Sequence, residues 1–134
     1  VDPTAPKALI ESARALLPRA AAPYSKFRVA AVLEDEAGVT HPGVNVESVS
    51  YDLTLCAERA ALVGALARGA KRFTRIAIVA DRARPVLPCG ACRQVLLEYA
   101  PELVVLTESS DGGVEEVALR SLLPRPFVAF ESGS

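Results

Sequence analysis

Cys56-Ala57-Glu58 and, after 29 intervening residues, Pro88-Cys89-Gly90-Ala91-Cys92 are the stretches that organise this chain. Each opens a segment of helical composition. Cys56 to Arg68 carries Ala60, Ala61, Leu62, Ala65 and Leu66, with Gly69 placed as a C-cap. Cys89 to Tyr99 reads as a second helix, stopped by Pro101. Cys89 and Cys92 are three residues apart, so a helix sets both on one face. Cys56 must reach them from the start of a different helix. Helix N-termini are electropositive and favour the thiolate form.

Between those helices, Arg75 to Ala80 is a β-branched run expected as a buried strand. Pro85 and Pro88 frame a loop, and Leu103 to Thr107 reads as the next strand. Ser109-Ser110-Asp111-Gly112-Gly113 is a tight turn, so Val114 to Val117 should return antiparallel. Ala118 to Leu123 predicts a short helix. At the other end, Asp2-Pro3 reads as a cap and first helical turn. Leu9, Ala13, Leu16, Leu17 and Ala20 recur at helical spacing, and the helix should end near Pro18. Pro23-Tyr24-Ser25 is a loop. Phe27, Val29, Ala31 and Leu33 alternate along a strand, Gly38 turns the chain, and Val39 to Val46 returns. Pro42 inside that return points to an edge or a bulge. The order α-ββ-α-β-α-ββ-α predicts a three-layer α/β/α fold on a mixed five-stranded sheet, with residues 1–134 as one domain.

Composition narrows the function. A formal net charge of −1 and no basic cluster argue against nucleic acid as a partner. The longest apolar stretch, Ala60 to Ala67, is too short to span a membrane. No secretory signal pattern is read at the start, and three cysteines are an odd number for a disulfide framework. The expected compartment is the cytoplasm.

Three soft thiolates in a tetrahedral arrangement suit zinc. Three protein ligands also leave a position open for water, which zinc makes acidic enough to ionise near neutral pH. Glu58 lies two residues from Cys56 and points elsewhere on a helix, so it is cast as a proton carrier beside the metal. Three thiolates on Zn²⁺ leave one negative charge in excess, and Arg59 is placed to donate to the sulfurs. Asn45 and Glu47 share a face in a strand, with the flanking Val44 and Val46 pointing the other way. His41, the single histidine, reads as exposed in a turn. It also offers a fourth ligand for a closed Cys₃His site, which would make the chain a structural zinc module.

The chain resembles the small homotetrameric zinc-dependent cytidine deaminases over nearly its whole length. The resemblance is carried by Ala22-Pro23-Tyr24-Ser25-Lys26-Phe27, Gly43-Val44-Asn45-Val46-Glu47, Cys56-Ala57-Glu58-Arg59, Pro88-Cys89-Gly90-Ala91-Cys92-Arg93-Gln94 and Leu122-Leu123-Pro124. It implies the cytidine deaminase-like fold and one zinc per chain on Cys56, Cys89 and Cys92, with Glu58 as general acid/base. It implies hydrolysis of cytidine and deoxycytidine to the uridine nucleosides with release of ammonia, by a zinc-activated hydroxide, in pyrimidine salvage. Phe27 would pack on the pyrimidine, Asn45 and Glu47 would hold the ribose, and Ala57 would contact substrate. Tyr51 and Phe127 would reach a neighbouring subunit's site in the tetramer, and Arg59 would soften the thiolate charge. The chain departs from the pattern at two places: Ala30 stands where the family often has glycine, and Arg125-Pro126 replaces small or aromatic residues. A deaminase of a modified aminopyrimidine nucleoside is the neighbouring alternative.

Overall fold

The computed structural model of the protein describes residues 5–127. Helix α1 spans Pro6–Arg14, with Ala5 as its cap and proline in its first turn. The cap expected at Asp2-Pro3 lies outside the described residues. The α-helix also ends before Pro18. Proline has no N–H to continue the ladder, and Leu17–Arg19 tightens into a 3₁₀ turn.

Strands β1 (Val29–Asp35) and β2 (Thr40–Val44) form a hairpin. Gly38 turns it at φ +84°, a conformation that favours glycine. Helix α2 covers Ala57–Ala67 and ends before Gly69, which is left-handed at φ +93°. Strand β3 (Phe73–Ala80), helix α3 (Gly90–Tyr99), strands β4 (Val104–Glu108) and β5 (Val114–Ala118), and helix α4 (Leu119–Leu122) complete the order.

The sheet runs β2-β1-β3-β4-β5. Only the β3–β4 pair is parallel; the other three are antiparallel, so the sheet is mixed as expected. Pro42 sits on edge strand β2, where its missing donor is tolerated. Leu9, Ile10 and Ala13 of α1 pack with Ala30, Val32 and Val79 on one face. Leu62 of α2 and Leu96 of α3 pack with Leu33, Ile76, Ile78 and Val105 on the other. Alternation thus sorts each strand between two apolar layers.

Register places the site. Val29 pairs with Ala80, Ala30 with Val44, and Ile78 with Thr107. The start of β1 and the ends of β2, β3 and β4 therefore meet at one end of the sheet. The helices that open there, α2 and α3, begin just after Cys56 and Cys89. Gly43 brings α2 down onto β2: a Cβ there would lie 2.3 Å from the Ala57 carbonyl oxygen and 2.9 Å from Ala61 Cβ. Ala61 and Ala65 are fully buried in the layer between α2 and the sheet.

Candidate functional site

The two helix starts bring the three cysteines together. Cys56 is the N-cap of α2, Cys89 is the N-cap of α3, and Cys92 lies one turn further on. The sulfurs of Cys56 and Cys89 are 3.9 Å apart and those of Cys89 and Cys92 are 3.5 Å apart. All three lie within 4.8 Å of one another, and all are free thiols. Sulfurs around a tetrahedral zinc at about 2.3 Å stand about 3.8 Å apart, so the spacing fits that ion.

The electrostatics call for a cation. Burial, then the charges of Glu58 and Cys56, drive the Cys92 thiol far above its ordinary range. Burial also acts against Cys89, but hydrogen bonds from the Cys92 N–H and the neighbouring sulfurs outweigh it and lower the thiol's pKa. Three thiolates so close repel one another without a positive centre, and a divalent cation removes that conflict. Arg59 supplies part of the compensation: its Nη2 donates to Cys56 Sγ at 3.5 Å.

Beside the sulfurs lies a cavity of about 230 Å³. Cys56, Ala57, Glu58 and Cys89 form its polar end, while Phe27, Val29, Val86 and Leu87 form apolar walls. Glu58 is 5% exposed and hydrogen-bonded with Cys92. Burial raises its carboxyl above the usual range, against its own backbone N–H, the Arg59 charge and the Cys92 bond.

Asn45 borders the same cavity, but it follows β2 rather than lying in it. Its Oδ1 accepts the Val29 N–H at 3.0 Å, and its Nδ2 donates to the Phe27 carbonyl at 2.9 Å. The amide keeps one further N–H and one further lone pair. Glu47 does not line the cavity of the single chain. Its Oε1 accepts the N–H groups of Tyr24 and Ser25 at 3.1 and 3.0 Å, and its Oε2 accepts the Ser25 hydroxyl. Those bonds lower its pKa and fix the loop that leads into Phe27. The expected shared strand face is replaced by two isolated bridges, in which Val46 pairs with Ala21 and with Leu55.

Tyr51 lies in a 3₁₀ turn over Tyr51–Leu53 and is 60% exposed. Phe127 is 58% exposed, with its backbone N–H and carbonyl bonded to the Gln94 side chain. Neither lines this chain's cavity.

His41 corrects the expectation of an exposed turn residue. It is 3% exposed, on the α2 side of β2. Its Nε2 lies 3.0 Å from Asp35 Oδ2 and its Nδ1 lies 3.2 Å from Arg68 Nη1. Both ring nitrogens are engaged away from the sulfurs, and the candidate metal cluster among the described residues holds the three cysteines alone. The closed Cys₃His site is not formed.

Sequence reading missed Val29, Val86 and Leu87 as cavity walls. The signal for two of them was present: Val86-Leu87 is an apolar pair held between Pro85 and Pro88, immediately before Cys89.

Residues 3–108 match the family model described as the cytidine and deoxycytidylate deaminase zinc-binding region. The chain is 45% identical over 108 residues to a cytidine deaminase of Halalkalibacterium halodurans, covering 80% of this chain and 82% of that one. It is similar in structure to a cytidine deaminase of Burkholderia pseudomallei, with TM-score 0.85 and 45% identity over 90% of this chain and 98% of that one. A more distant relative is a blasticidin-S deaminase of Bacillus cereus, 32% identical over 111 residues, covering 77% of this chain and 79% of that one.

Proposed function

The chain belongs to the cytidine and deoxycytidylate deaminase family, and from that membership we propose how its cavity converts cytidine to uridine and ammonia. The enzyme is a zinc-dependent deaminase acting on cytidine. We extend the substrate to deoxycytidine. The observation that carries the site reading is a buried carboxyl group, Glu58, lining one cavity with Cys56 and Cys89 of the three-cysteine cluster.

Cys56, Cys89 and Cys92 would hold the zinc, which supplies the Lewis acidity that makes water a nucleophile at neutral pH. Phe27, with Val86 and Leu87, receives the flat face of the pyrimidine and excludes bulk water. Asn45 offers its remaining N–H and lone pair to a ribose hydroxyl, while Glu47 holds the 24–27 loop against it. Ala57, the first residue of α2, has a backbone N–H without an intrahelical partner and presents it to the substrate. Glu58 takes a proton from the attacking water and passes it to ring nitrogen N3. It then takes the remaining proton from the oxygen added at C4 and carries it to the departing amine. Water adds at C4, the C4–N bond breaks, and ammonia leaves. One carboxylate serves each transfer because the three atoms lie within a small region. Arg59 draws charge from the sulfur of Cys56.

We also assign a homotetramer, in which Tyr51 and Phe127 complete a neighbouring copy's cavity. Val49, Tyr51 and Leu53 are exposed in one short segment near Cys56, an apolar surface that a second copy would cover. The free thiols suit a reducing compartment, the cytoplasm.

Ammonia release from cytidine, with free cytosine and blasticidin S as comparison substrates, tests the substrate. Cytidine should turn over fastest. A folded, zinc-loaded chain that releases ammonia from blasticidin S but not from cytidine would establish the modified-nucleoside alternative instead.

A further inference from the structure

Thr107 sits near the end of β4, next to the loop that walls the cavity. Its side chain points to the α2–α3 side of the sheet, as Val105 does, and the residue is 1% exposed. Its hydroxyl accepts the N–H of Val86 at 2.9 Å. Val86 and Leu87 line the cavity together with Phe27. A buried hydroxyl in an apolar layer has a cost unless it is bonded, so this contact fixes the position of both partners.

The same loop has a separate anchor at its metal end. Arg93 Nε donates to the Pro88 carbonyl at 2.6 Å, and Arg93 Nη1 donates to the Leu122 carbonyl at 3.1 Å. Pro88 is itself fully buried. Cys89 is therefore positioned from α3 and α4, while Val86 is positioned from β4. Glu108, the next residue, meets Arg14 of α1 and has Arg84 Nε at 3.7 Å, but the Arg84 side chain is half exposed and that contact is weak.

We propose that Thr107 is a positioning residue of the nucleoside pocket, its buried hydroxyl fixing the Val86–Leu87 wall independently of the metal ligands. The proposal rests on the cytidine deaminase reading for its substrate and on the Thr107–Val86 contact for its mechanism. An apolar wall holds the ground state and the transition state alike, so loosening it raises KM and leaves kcat in place. The Val side chain has the shape of Thr without the hydroxyl, and Ser keeps the hydroxyl without the methyl.

The test measures kcat and KM for cytidine in wild type, Thr107→Val and Thr107→Ser, with zinc content and exchange of the Val86 amide hydrogen. Thr107→Val should raise KM about tenfold, the loss expected for one hydrogen bond, with kcat within about twofold and zinc unchanged. Thr107→Ser should restore KM to within about twofold of wild type. The Val86 amide should exchange slowly in wild type and in Ser, and faster in Val. An unchanged KM in Thr107→Val, or a joint fall of kcat and zinc content that Ser does not restore, overturns the proposal. If Thr107→Val does not fold, Thr107→Ser decides: slow Val86 exchange with near-normal KM supports the tether, and fast exchange overturns it. A folded, zinc-loaded wild type that leaves cytidine untouched would refute the substrate reading, and the Val86 exchange comparison would still decide the tether.

Discussion

At Glu58 burial outweighs the neighbouring positive charge, whereas at Glu34 the fork of Arg75 outweighs burial. The difference lies in partners. Arg75 donates to Glu34 from Nε at 2.8 Å and Nη2 at 2.7 Å, while Glu58 faces a cavity. Arg59 and His41 give separable tests at this scale. Arg59→Ala should weaken zinc binding about 10- to 100-fold, measured by competition with a chelator, because its donor to Cys56 is lost. His41→Ala should lower stability by about 1–3 kcal/mol in urea unfolding and keep one zinc per chain, because it removes a buried ring bonded to Asp35 and Arg68 and away from the sulfurs. Loss of zinc in that variant would contradict the placement of His41. The grouping of the cysteines with Glu58 was legible in the sequence because a metal site with a carboxyl group beside it needs fixed residue types at fixed spacing. His41 was not: its burial depends on the register that pairs it with Leu33, which only the folded hairpin defines.

Helix α2 reaches the sheet through Gly43. An added Cβ there meets backbone atoms of Ala57 and Ala61, which cannot move aside without moving Glu58. Gly43→Ala should cost about 1–3 kcal/mol in stability and lower turnover through displacement of α2. Thermal unfolding and cytidine kinetics on one preparation check both effects. Wild-type values for both would show that α2 accommodates the methyl group. The elements were readable because α1 and β1 carry clear periodicity, α2 and α3 have helical composition, and Gly38, Gly69 and Gly112 mark turns with positive φ. Boundaries were less so. α1 stops before Pro18 because a 3₁₀ turn competes there, and β2 ends at Val44, short of Asn45. Asn45 instead bonds across to Phe27 and Val29, a long-range contact with no local signal.

For the molecule as a whole, the mixed sheet follows from the element order. Convergence at one sheet end follows from register and crossover, which the order alone does not specify. Acid stability also belongs to this scale. Glu34 is held low first by its Arg75 hydrogen bonds, with burial opposing and Thr74 assisting. A lowered folded-state pKa means that the unfolded chain binds the proton more readily. The stabilisation is complete above the ordinary carboxylate range, about pH 4, and is lost as pH falls through the folded value. The difference in thermal midpoint between wild type and Glu34→Gln should be level from pH 7 to about 5 and shrink below that. Equal slopes would remove Glu34 from the account. Assembly is tested by sedimentation, where four copies per particle are expected. Phe127→Ala should then raise KM without dissociating them, because the backbone of residue 127 is held by Gln94.

Ammonia release from cytidine by wild type and Glu58→Ala, at matched zinc content, bears most directly on the assignment of a proton-carrying carboxylate beside a three-thiolate metal site. The expected result is one zinc per chain in both proteins and a fall in kcat of about 10²- to 10⁴-fold in the variant. Turnover by Glu58→Ala near the wild-type rate would contradict it.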